Sequence, residues 1–126
     1  MKVYGGLRTN DLKEIPAQAK RAESLGFDGI SFGEMAHDVF LLCAIALEHT
    51  SRLKVGTSIA IAFPRSPMVV ANTSWDLQRM SGGRFELGLG TQVKGHNERR
   101  FSVKWSPPAP RIREYIQSLK GIWDCW

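Results

Sequence analysis

The clearest candidate for chemistry in the sequence is a histidine that follows a predicted strand. His37 comes four residues after Gly33, where that strand ends, and an imidazole can donate or accept a proton near neutral pH. The neighbouring Asp38 supports a second interpretation, because aspartate is a favoured N-cap and a helix is predicted from this position. The sequence leaves both roles open, a catalytic acid–base group or a pair of residues that begins a helix.

A group of small and polar residues follows another predicted strand. Gly88, Gly90, Thr91 and Gln92 lie at its end. Glycine lets the backbone approach a planar ligand closely, and a glutamine amide can hydrogen-bond to the ligand's edge. The alternative is that these glycines serve packing between strands. The pattern differs from the dinucleotide-binding fingerprint, because Val93 stands where that fingerprint needs its third glycine.

The positive charge of the chain is concentrated in its second half. The formal net charge is +5, and residues 64–126 carry the whole excess, with ten basic and five acidic side chains. Within residues 94–113, Glu98 stands against six basic residues, which are Lys94, Arg99, Arg100, Lys104, Arg111 and Arg113. Such a patch attracts phosphate groups or acidic substrates, although basic residues also serve simply to solvate a loop. No helix-turn-helix, zinc-finger or ribonucleoprotein motif is present, so we expect no nucleic-acid partner.

The rest of the composition favours one globular domain. The chain has 126 residues, of which 43% are hydrophobic. Its longest apolar run, residues 39–47, is short of the about 20 residues that span a bilayer. Residues 1–6 lack the apolar stretch of a secretory signal, and Cys43 and Cys125 suggest neither a disulfide framework nor a metal cluster. We therefore expect a cytoplasmic protein with no membrane partner and no metal.

Alternating strands and helices must position these residues. Strands are predicted at residues 2–7, 27–33, 53–62 and 85–90, and helices at 12–25, 38–50, 67–80 and 112–126, with a loop at 91–110. This alternation is typical of a parallel sheet with helical crossovers. Four βα units fit either an open doubly wound sheet or half of a (β/α)8 barrel, which takes about 250 residues. Because the apolar stripe of the last helix runs to Trp126, we expect a chain truncated within its fourth helix.

Several short motifs are diagnostic when taken together and in order. They are residues 22–30 (Ala-Glu-Ser-Leu-Gly-Phe-Asp-Gly-Ile) with 32–34 (Phe-Gly-Glu), 52–58 (Arg-Leu-Lys-Val-Gly-Thr-Ser), 65–67 (Arg-Ser-Pro), 76–85 (Asp-Leu-Gln-Arg-Met-Ser-Gly-Gly-Arg-Phe) and 87–90 (Leu-Gly-Leu-Gly). With them, the sequence resembles the luciferase-like flavin and deazaflavin oxidoreductases, over the N-terminal half of that family's fold. His37-Asp38, Gln92, His96, residues 98–101 and Trp105 are most similar to the branch that uses coenzyme F420.

The resemblance implies an α/β fold of the TIM (β/α)8-barrel type, here about four N-terminal βα units in one domain over residues 1–126. It implies cofactor at the carboxyl ends of the strands, coenzyme F420 or alternatively FMN, and a catalytic role for His37. The residues implied to bind cofactor are Ser58, Ile59, Ala60, Gly90, Thr91 and Gln92, with a non-proline cis peptide bond around the first three. Those implied to contact substrate or an anionic group are Glu34, Lys94, His96 and Arg99.

The function implied for the intact protein is F420-dependent hydride transfer to or from a small organic substrate. One alternative is an FMN-dependent monooxygenase that acts on paired donors with incorporation of O2. The other is a catalytically inactive half barrel that serves only in assembly or binding. We expect open sheet edges and an apolar inner face to favour pairing with another copy of the chain, and we expect this chain alone to bind cofactor weakly.

Overall fold

The polypeptide alternates strands and helices, as its sequence predicts. The structure is a computed structural model that describes residues 1–9 and 11–126. In chain order its elements are β1 (Tyr4–Leu7), a 3-10 turn (Leu12–Glu14), α1 (Ile15–Ser24), β2 (Gly29–Phe32), α2 (Val39–Glu48), β3 (Lys54–Thr57), β4 (Ala60–Ile61), α3 (Pro67–Met80), β5 (Phe85–Glu86), β6 (Leu89–Gly90), α4 (Lys94–Phe101) and α5 (Pro108–Asp124). They divide into two compact units. Unit 1 comprises Met1–Ala60 and Ser74–Gly88, and unit 2 comprises Ile61–Thr73 and Leu89–Trp126.

Local capping sets the helix boundaries. Asp38 accepts a hydrogen bond from the Phe40 N–H at 2.8 Å where α2 begins. Ser66 Oγ accepts one from the Val69 N–H at 3.2 Å where α3 begins. Gly26, just after α1, has a φ of +87°, a left-handed conformation that glycine adopts at little cost. These contacts confirm the predicted starts of α2 and α3 and the predicted end of α1.

Unit 1 is built on a parallel sheet with the strand order β1-β2-β3-β5. Ile30 pairs with Val55, and Val55 pairs with Phe85, so one row of side chains crosses the sheet. These three residues and Phe32 are buried. The helices α1 and α2 complete the core with Ile15, Ala19, Val39, Cys43, Ala46 and Leu47, each at most 2% exposed. The parallel order confirms the predicted fold class.

The opposite face of this sheet is polar, which corrects the expectation of an apolar inner face. The Tyr4 hydroxyl donates to Glu86 Oε1 at 3.1 Å, and Lys54 Nζ lies 3.0 Å from the same oxygen. These side chains come from β1, β3 and β5, so one carboxylate joins three strands. The Tyr4 ring also covers Gly29, where an added Cβ would lie 2.3 Å from a ring carbon. Sequence alternation in such short strands does not reveal which face the helices cover.

The third and fourth predicted strands are both interrupted, so their predicted extents are wrong. β3 ends at Thr57 and β4 begins at Ala60, while β5 ends at Glu86 and β6 begins at Leu89. Thr57 Oγ1 donates to the Gly88 carbonyl at 2.7 Å and accepts from the Gly88 N–H at 2.9 Å. A side chain therefore replaces backbone pairing at the interruption, and this long-range contact has no local sequence signal.

Arg84 joins three segments of unit 1. Its Nη2 donates to the Leu47 carbonyl at 3.0 Å, its Nη1 to the Leu53 carbonyl at 2.9 Å, and its Nε to the Ser81 carbonyl at 2.9 Å. Nη1 also lies 3.2 Å from Thr50 Oγ1. The side chain thus satisfies carbonyls at the end of α2, before β3 and after α3.

Unit 2 contains a helix where the sequence predicts a loop. Residues 91–110 are predicted as a loop, but α4 occupies Lys94–Phe101. Its side chains are mostly polar and charged, so the sequence shows no apolar stripe that would predict a helix here. Asn97 is its single buried residue among those described. The chain consequently ends in a fifth α-helix, α5, rather than the fourth. Tyr115 and Leu119 on the stripe of α5 are buried, whereas Ile116 and Trp126 are exposed.

The two cysteines differ in their surroundings. Cys43 is buried in α2, and burial, together with the negative charge of Asp38, raises the pKa of its thiol to about 12. Cys125, directly after α5, is exposed, and neither cysteine forms a disulfide. Among the helices that the structure describes, none has the length and apolar character needed to cross a membrane.

The Glu23 carboxylate organises the segment that leads into β3. It accepts backbone N–H bonds from Ser51 at 3.0 Å, Arg52 at 2.8 Å and Leu53 at 2.9 Å. Burial opposes ionisation of this carboxyl, but the N–H groups outweigh burial and hold its pKa below the ordinary value.

We predict that Glu23→Gln removes an acid-sensitive part of the stability. A pKa that is lower in the folded state gives stabilisation that is complete above the unfolded pKa, about 4.5, and is lost as the pH falls through the folded value. The variant should therefore have a lower free energy of unfolding at neutral pH, and a weaker acid dependence than the parent. Urea titrations across that pH range measure both. Glu48→Gln, at an exposed carboxylate in α2, is the control. An unchanged acid limb in Glu23→Gln would contradict the assignment.

Candidate functional site

A cavity of about 660 Å3 lies in unit 1 at the carboxyl ends of β1, β2 and β3. It is lined by residues 6–9, 31–33 and 35–37, with Leu42 and Ser58. Parallel strands bring their carboxyl ends to one edge of a sheet, so loops far apart in sequence meet there. This edge is the one at which the sequence predicts the site.

Small residues keep the cavity open. Ser58 N–H donates to the Phe32 carbonyl at 2.6 Å, which fixes the chain after β3 beside the end of β2. A Cβ added to Gly33 would lie 3.4 Å from the Ser58 carbonyl oxygen. A Cβ added to Gly6 would meet no described atom within 4 Å, so a side chain there would project into open space.

His37 lines this cavity and is half-buried. The adjacent Asp38 caps α2, as described above, which confirms that this residue begins the helix. The catalytic role of His37 stays a prediction. Glu34 lies in the same β2–α2 segment and is half-buried, but it is not among the residues that line the cavity.

Ser58, Ile59 and Ala60 are only partly brought to the cavity. Ser58 is exposed and lines it. The peptide bond between Ser58 and Ile59 is cis, at the place that the family resemblance implies. Ile59 is half-buried, and Ala60 is fully buried with its N–H bonded to the Gly88 carbonyl at 2.8 Å. Ser58 is thus the member of this group with direct access to a ligand in the cavity.

The residues after β6 lie in unit 2 and are ordered by a buried side chain that the sequence analysis missed. Asn97 of α4 is 2% exposed, and its Nδ2 donates to the Thr91 carbonyl at 2.9 Å. Gln92 has a φ of +55°, and its Oε1 accepts from the Val93 N–H at 2.9 Å. The Gly90 carbonyl accepts from the Ala62 N–H at 2.9 Å. The sequence carries no local signal for this role, because residues 91–110 read as a polar loop.

The basic residues predicted as substrate or anion contacts lie on α4, not on a loop. Lys94 Nζ lies 5.5 Å from the centre of the Trp105 ring, in a cation–π contact. His96 and Arg99 are exposed, three residues apart on a neighbouring part of the helix surface. Lys94 is separated from both by more than a quarter turn, so the three do not form one cluster along α4.

Two further polar residues of the cavity were absent from the sequence-based set. Arg8 and Thr9, directly after β1, line the cavity together with His37. Their position directly after β1 could have predicted this, because the active face of a barrel includes every loop that follows a strand. Among the described residues, no three His, Cys, Asp or Glu side chains are grouped so as to hold a metal ion.

Comparison with known proteins identifies the family. The model of the luciferase-like monooxygenase family matches residues 2–125. The chain belongs to this family. It is 51% identical, over 97% of its length and 38% of the relative, to an uncharacterised protein of Mycobacterium tuberculosis. It is 32% identical, over 81% of its length and 30% of the relative, to a putative coenzyme F420-dependent oxidoreductase of the same organism.

A solved structure extends the likeness to the fold. The coenzyme F420-dependent tetrahydromethanopterin reductase from Methanopyrus kandleri superposes with a TM-score of 0.77 at 25% identity, over 90% of this chain and 38% of that one. The chain therefore spans less than two fifths of the length of each of these proteins. Its α/β fold with a parallel sheet corresponds to about half of the family's barrel.

The geometry of the glycines predicts two opposite effects of alanine. Gly6→Ala should leave the free energy of unfolding unchanged or raise it by about 0.5 kcal/mol, because the methyl group enters open space and the unfolded chain loses freedom. Gly88→Ala should lower it by about 2 kcal/mol, because the added Cβ would lie 2.2 Å from the Thr57 carbonyl oxygen. Urea unfolding at neutral pH distinguishes them, and equal losses in the two variants would contradict the geometry.

Proposed function

We propose that the protein is an oxidoreductase that uses coenzyme F420 to transfer hydride to or from a small organic substrate. The cavity at the carboxyl ends of β1, β2 and β3, lined by His37 and Ser58, carries this proposal. The similarity to a putative F420-dependent oxidoreductase and to an F420-dependent reductase favours this cofactor over FMN. Because the chain spans only part of those proteins, the activity is proposed for the protein that contains the whole barrel.

The residues of the cavity fit a planar cofactor ring. Its volume, about 660 Å3, lies within the range of about 300–1,000 Å3 that is usual for small-molecule sites. Gly6, Ser31, Gly33 and Ser58 present little side-chain bulk, and Arg8 adds a positive charge. When bound, the deazaflavin would supply the carbon that carries the hydride.

The candidate site residues then have the following proposed roles. His37 holds or donates a proton beside the reacting ring, and Ser58 supports one side of the site. Ile59, Ala60, Gly90, Thr91 and Gln92 remain predicted cofactor contacts. Glu34, Lys94, His96 and Arg99 remain predicted contacts of substrate or of an anionic group.

We predict weak but selective cofactor binding by the isolated chain. Titration with F420 and with FMN, followed by cofactor fluorescence, should give dissociation constants well above about 1 μM, with F420 the tighter ligand. The reason for weakness is that barrels often bind phosphate through loops after strands seven and eight, outside the region matched here. Tighter binding of FMN would overturn the assignment of F420. Micromolar or stronger binding of either cofactor would overturn the expected weakness.

His37 should respond directly to the cofactor. We expect the imidazole proton and nitrogen resonances of His37 to shift on addition of F420, and His37→Asn to weaken F420 binding about three- to tenfold through loss of one hydrogen bond. His49, an exposed residue at the end of α2, is the matched control. His49→Asn should bind F420 as the parent does. Equal effects of the two substitutions would show that His37 does not contact the cofactor.

We also propose that the isolated chain pairs with a second copy through the edges of its sheet. Strands β1 and β5 are the outer strands of the four-stranded sheet in unit 1, and a strand at the edge of a sheet can pair with another chain. Size-exclusion chromatography with light scattering should show a dimer or larger species whose share grows with concentration. A monomer at every concentration would contradict pairing.

A further inference from the structure

Unit 2 contains a second pocket, of about 420 Å3, formed by the loop before α3 and one side of α5. Residues 63–66 supply the loop and Pro67 begins α3, whereas Arg111, Glu114, Tyr115 and Ser118 belong to α5. None of these residues is among the predicted cofactor-binding residues. The pocket is therefore separate from the proposed cofactor site.

Two guanidinium groups border this pocket. The Arg111 guanidinium stacks on Phe63, with its central carbon 4.3 Å from the ring centre, and its Nη1 donates to the Lys104 carbonyl at 3.2 Å. The Arg65 Nη1 donates to the Ile61 carbonyl at 3.0 Å. Stacking and backbone bonds hold each planar group in place, and a guanidinium has five N–H donors in a fixed fork that matches an oxyanion.

The N-terminus of α3 adds a further positive electrostatic potential to that of the two guanidinium groups. Ser66 caps this 14-residue helix, and the positive end of the helix dipole opens towards the loop that lines the pocket. A helix N-terminus favours anions in general, so this feature alone specifies no ligand.

A buried hydroxyl supplies the independent indication. Tyr115 is 7% exposed and lines the pocket, and its hydroxyl has no hydrogen-bond partner among the described residues. A buried polar group without a partner costs about 1–3 kcal/mol. Burial raises the pKa of Tyr115 to about 12, although the positive charge of Arg65 opposes this, so the hydroxyl is protonated at neutral pH and can donate.

We propose that this pocket binds the phosphate or carboxylate group of a small molecule. Arg65 and Arg111 supply charge-assisted hydrogen bonds, and the Tyr115 hydroxyl gains the acceptor that the protein itself does not provide. The Glu114 carboxylate also lines the pocket and opposes the anion. The small volume of the pocket, about 420 Å3, favours a single oxyanion group rather than a polyanionic chain such as nucleic acid.

The experiment is a titration of the full chain with inorganic phosphate and, separately, with acetate at constant ionic strength. Amide and arginine side-chain resonances around Ser66, Met68 and Arg111 report binding. We expect saturable shifts with at least one anion, and the preferred anion identifies the ligand group as phosphate or carboxylate. Arg111→Gln should weaken binding about tenfold and Tyr115→Phe about three- to tenfold. Glu114→Gln should strengthen binding about threefold by removing the opposing charge.

A matched control separates a specific site from general positive charge. Arg113 lies on the same helix, is exposed and does not line the pocket, so Arg113→Gln should leave affinity within about twofold of the parent. Equal weakening by Arg111→Gln and Arg113→Gln, or the absence of saturation with both anions, would overturn the proposal. Unaltered affinity in Tyr115→Phe would also overturn it. If Arg111→Gln does not fold, as judged by circular dichroism, Arg65→Gln takes its place.

Discussion

The arrangement of unit 1 depends on the guanidinium of Arg84. This group donates hydrogen bonds to backbone carbonyls at the end of α2, before β3 and after α3. Carbonyls at the ends of helices have no partner within the helix and need one from elsewhere when they are partly buried. The Arg84 carbonyl in turn accepts the Val55 N–H at 2.9 Å, next to the pairing of β3 with β5. A lysine could not replace it, because an ammonium group cannot reach several carbonyls in one plane. The register of the sheet and the ends of two helices are therefore fixed together.

That register has consequences at the opposite end of the strands. Once Val55 and Phe85 are aligned, Thr57 lies next to Gly88, and their paired hydrogen bonds leave room for no side chain at position 88. The chain after β3 is then carried past the end of β2, where Ser58 joins His37 around the cavity. The site is positioned by packing some distance away, by residues that do not themselves line the cavity.

The sequence predicts well those features that are set by local rules. Helix ends are fixed by contacts between residues close in sequence, as at Asp38, Ser66 and the glycine after α1. The order of the motifs identifies the family. The polar inner face, the interrupted strands and α4 were not predictable in this way. They depend on Glu86 meeting residues of two other strands, on Thr57 meeting Gly88, and on one buried asparagine in an otherwise polar helix. Each is a contact between distant positions, where local propensity is overridden.

The two cysteines differ in exposure, so their rates of chemical modification report on local opening of the structure. One thiol sits in each compact unit, with Cys43 enclosed by the core of unit 1 and Cys125 open to water in unit 2. A thiol reagent would label Cys125 rapidly, whereas Cys43 would react only in molecules whose α2 has opened, since its thiolate is suppressed by burial. The rate of that second, slow modification measures how often the helix beside the cavity leaves its place, without any engineered probe.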